Sequence, residues 1–96
     1  MPRFVIERAY TVEESELPVV STRSKRIGRD DYPEIVWEHS HVVIDGDGRP
    51  KSFCIYAAPS EDMVRRHADQ LGDHTIVAIY EIAGDVTPAD FPLDDD

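Results

Sequence analysis

The stretch "EIVWEHSHVVIDGDGRPKSFCIYAA", residues 34–58, decides the fold. Its first part, 34–44, sets Ile35, Val36, Trp37, Val42, Val43 and Ile44 around two histidines, a density of β-branched and aromatic side chains that favours an extended strand. "DGDGRP" (45–50) follows, and Asp-Gly pairs accept the positive φ that a tight hairpin demands. "KSFCIYAA" (51–58) is then the partner strand. A hairpin occupies the middle of the chain, and the flanks must fit around it.

Upstream, "RFVIERAY" (3–10) alternates, with Phe4 and Ile6 on one face and Val5 and Glu7 on the other, as a first strand does. Between it and the hairpin, acids (Glu13, Glu14, Glu16) precede bases (Arg23, Lys25, Arg26, Arg29), the order a helix dipole favours. Proline is tolerated in a first turn, so the spacing predicts a helix from about Pro18 to Gly28. Downstream, "PSEDMVRRHADQLG" (59–72) has Ser60 as N-cap, acids in its first turn and Gly72 as its stop. Met63, Val64, His67, Ala68 and Leu71 fall on one helical stripe, which puts His67 on the buried side or at its margin. "TIVAIYEIA" (75–83) makes a last strand, and "GDVTPADFPLDDD" is a proline-broken acidic tail.

The order βαββαβ predicts an α+β fold, the ferredoxin-like sandwich: one antiparallel sheet with both helices on one face. Residues 1–84 are expected to form the domain and 85–96 the tail. The uncovered face is expected to carry Val5, Trp37 and Tyr80 or their register neighbours, too apolar for open water, so the natural solution is a homodimer stacked face to face into a dimeric α+β barrel.

Ten basic against twenty acidic residues give a formal charge of −10, the wrong sign for a nucleic-acid or anionic-membrane surface and the right one for cations. Cys54 is the single cysteine, so no intrachain disulfide forms. No stretch reads as a signal sequence or a membrane span, and a reducing, cytoplasmic setting is expected.

His39 and His41 are two residues apart. In a strand such residues share a face with Cα atoms roughly 6.5–7 Å apart, so both imidazoles can converge on one borderline divalent ion. Trp37 is expected on that face too. The bland reading is that a strand HxH with no third ligand is a solvated or core-satisfied pair.

The blocks "MPRFVIER", "WEHSHV", "FCIYAAPSEDMVRRHA" and "IYEI" together make the chain resemble a family of small actinobacterial nickel-binding proteins, over nearly its whole length up to about Ile82. The resemblance implies a ferredoxin-like dimeric α+β barrel of strand order 4-1-3-2, and binding of a divalent metal, Ni2+ first, with no established catalysis. His39 matches the family's Trp-x-His-Ser pattern, Cys54 and Tyr56 its strand-end "CxYxAPS", His67 the His-Ala of its second helix, and Glu7 the Glu of its "ER" start. The implied order sets Glu7 and Glu81 on neighbouring strands, with His39 at the far edge beside the Cys54 and Tyr56 strand. The candidate metal ligands are therefore His39, His41, His67, Glu7 and Glu81, with Trp37, Cys54 and Tyr56 around a possible pocket. Residue types do not choose among Ni2+, Zn2+, Cu2+ and Co2+, since copper exceeds nickel in affinity and zinc lies close by.

Two other classes compete. Dimeric α+β barrels commonly hold a cleft between sheet and helices, so a small enzyme or small-molecule-binding protein with a His/Glu/Tyr-lined cleft is the alternative. A dimerising scaffold with packed histidines is the third. A metal module gains thermal stability from a stoichiometric metal, whereas a cleft enzyme has a deep pocket and no metal dependence.

Overall fold

A computed structural model describes residues 1–94; Asp95 and Asp96, the end of the expected acidic tail, lie outside them. The chain forms β1 (Arg3–Tyr10), α1 (Leu17–Asp31), β2 (Val36–Ile44), β3 (Pro50–Ala57), α2 (Glu61–Leu71) and β4 (His74–Glu81). The fold is α+β, with two helices and a four-stranded antiparallel sheet ordered β2-β3-β1-β4. Read from the other edge, that order is 4-1-3-2.

Alternation decides which face of the sheet is covered. Phe4, Ile6 and Arg8 on β1 are buried, as are Ser52, Cys54 and Tyr56 opposite them on β3. Val5 and Glu7 on β1, and Phe53 and Ile55 on β3, point the other way and are only half-buried. The core lies on the first side, where Phe4, Ile6, Tyr56 and Ile79 meet Val64 and Ala68 of α2. Complete burial of Ile6 and near-complete burial of Val64 contribute about 1.5–3 kcal/mol each.

The capping signals of α2 act as its sequence suggests. Ser60 Oγ accepts a hydrogen bond from the Met63 amide at 3.2 Å, and Gly72 follows the last turn at φ +70°. In the hairpin, Asp45 Oδ1 accepts from the Asp47 and Arg49 amides at 2.9 and 3.0 Å while Gly48 takes φ +78°.

The first helix differs from the expectation. It runs on past Gly28 to Asp31, and a short 3₁₀ turn at Glu14–Glu16 precedes it. Gly28 does not end it; the stop is Pro33, which disfavours helical backbone at Tyr32. A Cβ added at Gly28 would meet His67 Nε2 at 3.9 Å, an ordinary contact. Gly28→Ala is therefore expected to stabilise the fold by about 0.5–1 kcal/mol, by removing unfolded-chain entropy. A rise of a few degrees in Tm checks this; a fall would mean that Gly28 is needed for close packing.

Arg23 ties α1 to the rest of the molecule, donating to the Leu71 carbonyl at 3.1 Å and pairing with Asp73. Beyond β4, Asp85 pairs with Arg3 at 2.7 Å, and a 3₁₀ turn at Pro88–Asp90 is closed by a capping box between Thr87 and Asp90. Among the described residues no helix is long and apolar enough to cross a membrane.

Candidate functional site

The two histidines of β2 stand together on the uncovered face. His39 lies opposite Ile55 and His41 opposite Phe53, and both are exposed. Their ring centroids are 5.3 Å apart with planes at 80°. Strand pleating alone brings them together, because one residue separates them and both project from the same side. Two imidazoles so placed suit a borderline divalent ion.

Trp37 is not on that face, contrary to the expectation. The β2–β3 register shifts between Trp37 and His39, so Trp37 opposes Tyr56 on the covered side while His39 opposes Ile55 on the open side. An inserted residue, here Glu38, breaks the period of two and reverses the alternation. The Trp37 indole N–H donates to Ser40 Oγ at 2.8 Å. Glu38 is held outside by the Arg3 guanidinium, at 2.7 and 3.0 Å, whose hydrogen bonds hold its carboxyl below the usual range.

The other candidate ligands do not join the pair within one chain. Glu7 shares the open face and the row of His41, but β3 intervenes, a separation of roughly 10 Å. Its carboxylate is met instead by Lys51 Nζ at 3.4 Å. Glu81 opposes Phe4 on β4, so it lies on the opposite face at the opposite edge. Among the described residues no three of His, Cys, Asp and Glu cluster as a metal-holding group.

His67 faces the core. It is 3% exposed, its Nε2 donates to the Ser24 carbonyl at 3.0 Å, and its ring packs near Tyr32 and Tyr56. Burial pushes its pKa below the usual 6.5, against the raising effect of the Ser24 carbonyl. His74, whose Nδ1 meets the Gly72 carbonyl at 2.7 Å, is lowered likewise by burial. A base held neutral in the fold takes up its proton more readily when unfolded. The stability it contributes is present above pH 6.5 and is lost as pH falls toward the depressed folded value. Tm of the metal-free protein should thus drop as pH falls below about 6.5, and His67→Gln should flatten that slope; an unchanged slope would assign it to other groups.

Trp37, Cys54 and Tyr56 line one cavity of about 200 Å³ on the covered side, which Arg8 and Ser52 also line. Cys54 is a buried free thiol with Sγ 3.3 Å from Ser52 Oγ. Tyr56 is pushed up to about 12, chiefly by burial. A second cavity of about 400 Å³, lined by Lys25, Arg29, Ile35 and His67 among others, shares Ser24, Trp37 and Tyr56 with the first. Sequence reasoning passed over Arg8, although its signal was present: Phe4, Ile6 and Arg8 are two apart, so a cation sits on the apolar face of β1.

No curated protein and no solved structure matches the chain. Residues 4–82 match the family described as nickel responsive protein, SCO4226-like. That span takes in both helices, the His39/His41 pair and nearly all of the four strands, and the chain belongs to the SCO4226-like nickel responsive protein family.

Proposed function

We propose that the protein binds a divalent metal, nickel first, in sensing, buffering or delivery, with His39 and His41 as its ligands. The observation that carries this reading is the exposed imidazole pair on one strand face, in a chain whose family is described as nickel responsive. His67 and Glu7 already have internal partners, and Glu81 is on the other side of the sheet. The remaining ligands are then water or groups from a second copy.

The uncovered sheet face is what supports a second copy. A ferredoxin-like domain over residues 1–84 leaves Val5, Phe53, Ile55 and Tyr80 on a face that its own helices do not cover, Tyr80 being 65% exposed. Two such faces stack about 10 Å apart, which gives the dimeric α+β barrel. Residues 85–96 are a tail to this domain. A cytoplasmic setting accords with the single, unpaired cysteine.

The test is calorimetric titration of chelator-stripped protein with Ni2+, Zn2+, Cu2+ and Co2+, with Tm followed in parallel. A stoichiometric ion that raises Tm supports the reading, and one ion per chain or one per dimer separates water from a second copy as the source of the other ligands. If no metal binds or shifts the melt, the reading fails.

A further inference from the structure

Arg8 is a cation in the wrong place for an ordinary surface residue. It is 2% exposed, and its Nε is buried with no hydrogen-bond partner. Its guanidinium donates to Tyr56 Oη at 3.1 Å and lies 5.5 Å from the Tyr56 ring centroid. A ring face attracts a cation but carries no net charge. The Tyr56 hydroxyl stays neutral. Among the described residues no carboxylate pairs with Arg8, although the chain has twenty. A buried charge normally carries its counter-ion with it.

The space beside Arg8 is suited to receive one. The cavity of about 200 Å³ that it lines also presents the hydroxyl-bearing side chains of Tyr10, Ser21, Ser24 and Ser52. Small residues on α1, namely Ser21, Ser24 and Gly28, leave the room. Neither this cavity nor the adjoining one of about 400 Å³ has an acid in its lining, and the outer one adds Lys25 and Arg29. In a chain of formal charge −10, the cleft is thus a local island of positive charge. Beside these cations the adjoining cavity also has apolar lining, Pro33, Ile35 and Trp37.

We propose that this cleft binds a small organic carboxylate, with its anionic group on Arg8 and its apolar body against Trp37 and Ile35. Arg8 is the one Lys or Arg that lines the inner cavity, with Lys25 and Arg29 in the adjoining one, so a monoanion seated there is neutralised whereas the second charge of a phosphate dianion would find no cation in that cavity. The site lies on the other side of the sheet from His39 and His41, so the inference goes beyond the metal reading and stands without it.

The experiment follows the fluorescence of the single tryptophan and Tm during titration with benzoate, phenylacetate and hexanoate. Benzamide, benzyl alcohol and inorganic phosphate serve as controls. Saturable binding of a carboxylate, a rise in Tm, and no response to the neutral analogues are expected. Arg8→Met, which keeps length and apolar bulk, should weaken carboxylate binding at least tenfold. Ser24→Leu, which fills the cavity and leaves Arg8 in place, should do the same and decides the matter if Arg8→Met does not fold. The proposal is overturned if no carboxylate binds at millimolar concentration. It is also overturned if neutral analogues or phosphate bind as well, or if binding survives both substitutions.

Discussion

Replacing His39 and His41 together by alanine is expected to abolish the proposed stoichiometric nickel binding, and either single replacement to weaken it by at least about 100-fold. The magnitude follows from what remains. Loss of an outer-shell partner alone costs roughly 10- to 100-fold in metal affinity, and each imidazole here is half of the protein-derived shell that one chain offers, since no third His, Cys, Asp or Glu stands with the pair among the described residues. Stability of the metal-free protein should hardly change, because both side chains are exposed on an edge strand and surface substitutions of this kind cost within about 0.5 kcal/mol. His67→Gln is the informative control. Its ring is turned into the core against the Ser24 carbonyl, so nickel affinity should survive while stability falls. Calorimetry on these variants checks all of this, and retention of tight binding by the double alanine variant would place the metal elsewhere.

The asymmetry between what the sequence discloses and what it conceals has a physical source. Period-two alternation in "RFVIERAY" and the cap residues Ser60 and Gly72 act locally, and the corresponding elements stand where the spacing sets them. The β2–β3 register shift does not act locally. A strand tolerates an inserted residue anywhere along its length, and its position is fixed by which neighbour hydrogen-bonds across the ladder. Trp37 and His39, two apart and so nominally on one face, end on opposite faces for that reason. Distance across the sheet is concealed likewise: Glu7 and His41 share a row, but the strand between them leaves Glu7 to Lys51. Arg8 is the opposite case. Alternation places it beside Phe4 and Ile6, and only the habit of reading charge as solvated hides it.

Ile55→Glu is expected to convert the protein from dimer to monomer. Ile55 sits on β3 between Val5 of β1 and His39 of β2, toward the middle of the open face. Four strands of about eight residues present a footprint of roughly 19 by 26 Å, and side-chain relief brings this toward the ~800 Å² per partner that stable interfaces bury. The same face also holds Glu7 and Lys51, both already half-buried. As a pair they enter an interface with their charges balanced; a lone carboxylate at position 55 would not. Dimerisation of the variant would bury two such unpaired carboxylates, at a cost of several kcal/mol each, whereas in the monomer the new side chain stays in water. Sedimentation should therefore give twice the 10.9 kDa chain mass for the native protein and the single mass for the variant, with the circular dichroism of the fold retained. Nickel stoichiometry on the variant then carries the second result. One ion per chain in the monomer means that the site is completed within one chain, by water or by the new carboxylate opposite His39, and loss of binding on dissociation means that it is completed across the two-fold axis. A native protein that sediments as a monomer even at high micromolar concentration would sink the stacked barrel, and the apolar face formed by Val5, Ile55 and Tyr80 would need another cover.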